Sequence, residues 1–301
     1  MHIWLRSCAL LLLSAAQFSV LRASAQAQSD RGSKCSSPDC PISRMNRQGR
    51  WSVLETENFR VHCEGSEEPG AQLARNAESL RTLLNKKWLG SQQHSSWSPK
   101  CEIYLHSTKQ NYIAVADRGS ERTVGSSLVK TDKERISSRR IDLLGANTDF
   151  LSAALPHELT HVVLRDRFVS TYVPRWADEG MALLADSADK QERHRRDLRK
   201  ALADRSTFRA IELLALNDYP PAGRFGTFYG QSASMTEYLV SRKSAEHFVD
   251  FIDRAERVGY DTALKECYGI AGGGDLDRQW REHQQPMAVV VDNSITARSL
   301  Q

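Results

Sequence analysis

Residues 154–164 read Ala-Leu-Pro-His-Glu-Leu-Thr-His-Val-Val-Leu, and the architecture of the whole chain hangs on them. His157 and His161 are four apart. On a helix that spacing stacks them one turn above each other, so both imidazoles can reach one ion at about 2.0–2.1 Å. Glu158 projects beside such an ion without ligating it, where it can take a proton from water and return it to a leaving group. Apolar flanks at Leu151, Leu155, Leu159, Val162, Val163 and Leu164 predict a buried helix. Two buried histidines without partners are costly, and a metal is their natural partner. Backbone carbonyls or carboxylates are the alternative. Pro156 lacks an amide hydrogen and disfavours helix in the residue before it, so the helix is expected to kink or restart there. Free amides near His157 and Glu158 then favour negative charge.

A catalytic metal usually has three protein ligands and an open position, which directs attention downstream to Trp176-Ala177-Asp178-Glu179-Gly180-Met181-Ala182. The residues between His161 and Glu179 suffice to end one helix, turn through Ser170-Thr171-Tyr172-Val173-Pro174 and send a second helix back antiparallel. Pro174 suits the start of that helix. It is expected to bury Trp176, Ala182, Leu183 and Leu184 and to aim Glu179 at the metal, with Asp178 the neighbour most easily confused with it. An ordinary surface glutamate fits the same count.

The sequence HELTH followed by Pro-Arg-Trp-Ala-Asp-Glu-Gly-Met-Ala at 174–182 resembles the gluzincin, peptidase MA-like signature of HExxH and then W-x-x-E-G. The resemblance implies a zinc metallopeptidase with one catalytic Zn2+ held by His157, His161 and Glu179, and with Glu158 as general base. Phe228-Tyr229-Gly230-Gln231-Ser232 is similar to the clan's Tyr-x-x-Gly/Ser helix start. That similarity makes Tyr229 the expected donor to the oxyanion, a role worth about 2.7–4 kcal/mol in the transition state; a buried helix aromatic is its plainer reading. ETENFRVHCEG, the span from RRIDLLG to HELTHVVL, FYGQSASMTEYLV and the closing ALKECYGI to DLDRQWREH resemble an uncharacterised planctomycete-type bacterial family of secreted proteins in this clan, over about residues 50–284. No Gly-x-Met-Glu-Asn stretch occurs, a departure from the aminopeptidase branch. The clan also lays an edge strand above the metal. Residues 139–144 are the matching expectation, against that of a fully paired interior strand.

The N-terminus carries a basic start, an apolar run at 8–21 and the small-residue sequence Ala23-Ser24-Ala25, the layout of a secretory signal peptide over 1–25. The apolar run is short for a span of about 20 residues. A mature chain without a transmembrane segment is expected in the periplasm, cell envelope or extracellular space. The formal charge of +4 includes Arg6 and Arg22, so the mature chain carries +2, which argues against a nucleic-acid partner. Cys35 with Cys40, and Cys63 with Cys101, are the candidate disulfides, and connectivity stays open.

Residues 26–46 hold almost no large apolar residue and read as a disordered linker. Period-two patterning predicts strands within 51–63 and at 101–106 and 137–145, and helical spacing predicts a helix over 71–89. From 149 onward helices are expected at 149–167, 175–187, 190–203, 209–215, 227–242, 244–257 and 274–284. The basic run at 190–202 mixes acids with bases over an apolar stripe of Leu198, Ala201 and Leu202, so it reads as a solvated face. The expected fold is α+β and zincin-like: a small mixed-sheet N-terminal layer at 47–147, a mostly helical part at 148–285 with the metal between them, and a tail at 286–301. The expected partner is a peptide or protein substrate. A non-catalytic, zinc-stabilised binding or scaffold protein of the cell envelope is the alternative.

Overall fold

The computed structural model describes residues 3–7, 42–90, 95–116, 123–146 and 150–296. Its first half is a seven-stranded mixed sheet. The strands are β1 (Ile3–Ser7), β2 (Arg44–Gln48), β3 (Trp51–Glu55), β4 (Phe59–Glu64), β5 (Cys101–His106), β6 (Gly125–Asp132) and β7 (Arg135–Leu144), in the spatial order β1-β6-β7-β5-β4-β3-β2. β4, β5 and β7 run parallel, whereas β2-β3-β4 and β6-β7 are antiparallel pairs and β1 lies antiparallel on β6.

Strand alternation decides which face is covered. Phe59, Val61, Cys63, Cys101, Ile103, Leu105, Ile141 and Leu143 point inward, where α1 (Glu67–Trp88) and α3 (Leu155–Leu164) pack on the sheet. The opposite face carries the other half of the alternation. Arg60 pairs with Glu102 at 2.8 Å, His62 with Glu102 at 2.6 Å and His106 with Asp142 at 2.7 Å, around Trp51 and Tyr104. A short helix α2 (Lys109–Ile113), capped by Thr108, precedes β6.

The second half is helical: α3, α4 (Arg175–Leu183), α5 (Ala188–Ala203), α6 (Ala210–Leu214), α7 (Phe225–Arg242), α8 (Ala245–Val258), α9 (Tyr260–Tyr268) and α10 (Gly273–Thr296). One apolar core joins it to the sheet, because α1 packs against both α3 and α8. Leu198 and Ala201 of α5 face that core, as their stripe predicts. Among the described residues no helix is long and apolar enough to cross a membrane.

Several expectations are corrected. Residues 44–46, expected as linker, belong to β2, whose side chains are all exposed: pairing with β3 organises them, not burial. The 51–63 stretch is two strands of a hairpin. The polar stretch at 125–132 is strand β6, and β7 is interior, bonded to β5 and β6, so 139–144 is no edge. Helix α9 was not expected, and α10 continues through 286–296 where a tail was expected. Cys63, Cys101 and Cys267 are free thiols. Cys101 is level with Phe59, which sets it four residues along from Cys63, about 13 Å and beyond disulfide reach. The cleavage sequence at 23–25, Cys35 and Cys40 lie outside the described residues.

Leu73 is fully buried whereas Leu83, on the same helix, is 63% exposed. Leu73→Ala is therefore expected to cost about 2–5 kcal/mol, and Leu83→Ala no more than about 0.5 kcal/mol. Urea denaturation followed by circular dichroism measures both, and equal losses would contradict this placement of α1.

Candidate metal centre

Helix α3 starts at Leu155, after a wider π-turn at Phe150–Ala154, with Pro156 in its first turn. The restart expected from Pro156 is what occurs. All ten residues of α3 are buried, and His157 and His161 stand one turn apart with ring centroids 4.9 Å from each other. After the turn at 165–174, Pro174 caps α4, which returns Glu179 to the two imidazoles. Gly180 permits this approach. A Cβ there would lie 2.7 Å from the Ser232 carbonyl oxygen of α7 and would also strike Thr236.

His157, His161 and Glu179 form one buried group whose candidate ligand atoms all lie within 4.8 Å of each other. Glu179 Oε2 faces His157 Nε2 at 3.6 Å and His161 Nε2 at 4.0 Å. These distances are too long for hydrogen bonds, and Oε2 is buried without a hydrogen-bond partner. The gaps suit a shared ion: donors each about 2.0–2.1 Å from a tetrahedral metal sit roughly 3.4 Å apart.

The far sides of the imidazoles meet carboxylates. His161 Nδ1 is 2.9 Å from Asp178 Oδ1, and His157 Nδ1 is 3.3 Å from Asp186 Oδ1. A carboxylate there favours the proton on Nδ1 and leaves the Nε2 lone pair turned towards Glu179, the arrangement in which histidine binds metals. Lys190 Nζ, 3.4 Å from Asp186, helps hold that carboxylate. Asp178 and Glu179 thus divide the work, one behind an imidazole and one in front. Burial opposes ionisation of Glu179, but His157 and His161 outweigh it and hold its carboxyl at about 2.

Glu158 is 1% exposed and stands beside this group. Burial pushes its carboxyl above the ordinary range, against the pull of His157 and His161. Gly125, the first residue of β6, presses on it: a Cβ at 125 would lie 2.9 Å from Glu158 Cγ. The strand that does approach this carboxylate is therefore β6.

Tyr229 is buried on α7, its ring packed among His194, Tyr219, Phe225 and Phe228. The Tyr219 hydroxyl donates to Glu179 Oε1 at 2.5 Å. The Arg175 guanidinium lies 4.5 Å over the Tyr219 ring. Sequence reasoning missed Tyr219, Asp178 as an orienting group and Asp186. Asp186 had a findable signal, since it lies seven residues, two helical turns, past Glu179 and metal-binding histidines habitually rest on a carboxylate. Tyr219 had only the rigid Pro220-Pro221 behind it.

Comparison of the chain with protein-family models and with curated proteins gives no match.

For zinc added to the purified chain, Tyr219→Phe and Asp178→Asn are each expected to weaken binding by about 10–100-fold. Competition against a chromogenic chelator measures this. Unchanged affinity in both variants would mean that neither group orients a ligand.

Proposed function

We propose that this chain is an exported zinc metallopeptidase of the gluzincin type, with the metal in a cleft between the sheet and the helical part of a zincin-like fold. One observation carries the reading: Glu179 Oε2, buried and without a hydrogen bond, opposite two Nε2 atoms whose other nitrogens rest on carboxylates. A donor set of two imidazoles and one carboxylate suits zinc in a catalytic site with an open position. A structural zinc is usually closed by four protein ligands, and among the described residues the group here has three.

His157, His161 and Glu179 would hold the ion. When bound, zinc supplies a Lewis acid that polarises a carbonyl and makes water acidic enough to attack at neutral pH. Glu158 is the group that takes the proton. It is adjacent to the first histidine, its Oε2 is buried with no hydrogen-bond partner, and its raised pKa suits a base that must later give the proton to the departing amine. Tyr219 fixes Glu179 by its Oε1, which leaves Oε2 for the ion. Tyr229 retains the role of oxyanion donor only as the resemblance gives it, with its ring next to that of Tyr219. The substrate is a peptide or protein. Cleavage of the leader at 23–25 places the mature enzyme in the periplasm, envelope or medium.

Mass spectrometry of the purified chain is expected to find one zinc per molecule, lost or depleted in Glu179→Ala. Glu158→Gln is expected to keep the zinc and lower cleavage of a peptide library by about 10²–10⁴-fold. Zinc without cleavage by the unaltered chain would point instead to a binding protein, and full activity in Glu158→Gln would remove the mechanism.

A further inference from the structure

An open pocket of about 590 Å³ lies at the other end of α3, walled by Arg81 of α1, Trp97, Arg135 and Arg139 of β7, and Asp166. Asp166 is five residues beyond His161, roughly 7.5 Å at helical rise, and none of His157, Glu158, His161 or Glu179 lines the pocket. The pocket is thus separate from the histidine cluster.

Its charges do not balance. Three guanidiniums line it against one carboxylate, and both oxygens of that carboxylate are in use. Asp166 Oδ1 accepts from Arg139 Nη2 and Oδ2 accepts from Trp97 Nε1. Arg81 and Arg139 are only 6% and 5% exposed, and their guanidiniums lie 4.5 and 4.7 Å from the same Trp97 ring. Each keeps a buried Nε with no hydrogen-bond partner. The hydrogen bond found for Arg81 runs to the Ser95 carbonyl, a neutral acceptor. Glu78 and Glu57 soften the field at Arg81 from a distance, with their oxygens hydrogen-bonded to Asn58 and Ser96 and not to a guanidinium. Burial accordingly holds the Arg81 guanidinium below its usual basicity. Arg135 stands exposed at the start of β7, with no ion pair or side-chain hydrogen bond among the described residues.

Two arginines are gathered on one indole and desolvated, a third lines the same pocket, and neither Arg81 nor Arg135 has a carboxylate within ion-pair distance among the described residues. Buried charge of one sign is costly unless paired, and guanidinium forks match the oxygens of a tetrahedral anion. We propose that this pocket is a binding site for a compact oxyanion of the phosphate or sulfate class, free or as an ester on a larger ligand. Arg135 and Arg81 are its contacts, and Arg139 with Asp166 is the frame that holds Trp97 in place.

Isothermal titration of the full chain with sodium phosphate, sodium sulfate and sodium acetate at constant ionic strength tests the assignment. Saturable binding of phosphate or sulfate, one per chain, is expected, with acetate weaker by about tenfold or more. Arg135→Ala, an exposed position whose loss leaves the circular dichroism unchanged, is expected to weaken the phosphate-class ion by a similar factor. No saturable binding, acetate binding as tightly as phosphate, or an Arg135→Ala variant of unchanged affinity would each overturn the proposal. If the site binds free phosphate, the ion alone saturates it. If it is built for an ester, phosphoserine or a sulfated sugar binds more tightly than the inorganic ion.

Discussion

Glu179 ends inside the protein with one oxygen held by the Tyr219 hydroxyl and the other facing two imidazole nitrogens across gaps too wide for hydrogen bonds. Burying a carboxylate costs several kcal/mol unless positive charge answers it. The rest of the helical half is arranged to supply that answer. Helix α3 is buried all round, so His157 and His161 are fixed in the core, and α4 must come close enough to bring the acid to them. Glycine at 180 allows α4 to lie against α7, and Pro174 sets the turn that reverses the chain.

The same economy of space explains why orienting groups matter as much as ligands. Asp178 and Asp186 sit behind the two imidazoles, and each is itself buried. Asp178 is hydrogen-bonded to His161 Nδ1 and Asp186 lies 3.3 Å from His157 Nδ1, which favours ring orientations with both Nε2 atoms on the Glu179 side. A single helix, α4, contributes the candidate ligand Glu179 and the orienting Asp178 from adjacent positions. That is possible because neighbours on a helix are turned by about 100°, so one side chain faces the space between the rings while the other reaches the outer edge of His161.

The sheet takes part through β6. Gly125 opens β6 against Glu158, and the absence of a side chain there lets the strand come within contact of the carboxylate. β6 escaped the sequence reading because its residues, Gly-Ser-Ser-Leu-Val-Lys-Thr-Asp, are mostly polar and carry little alternation; its strand state comes from hydrogen bonds to β7. The same holds for β2, whose exposed side chains give no apolar period. Strands that bury a face, such as β4 and β5, announced themselves, because burial imposes period two on the residues.

The sequence by itself determined the class of fold, the buried helix of residues 155–164 with its restart at Pro156, and the His157, Glu158, His161 spacing. All of these follow from local periodicity and backbone chemistry, which act within a few residues. For the third candidate ligand it favoured Glu179, with Asp178 as the neighbour it could not set aside from spacing alone. Tertiary structure decided which of the two faces both imidazoles, along with the choice of Tyr219 as the hydroxyl on Glu179, the place of Asp186 beside His157, and the place of β6 as the strand over Glu158. These are contacts between residues about thirty to forty apart or between side chains one position apart on a helix, and no local rule ranks them. Only the packing of α4 between α3 and α7 fixes which side chain faces which.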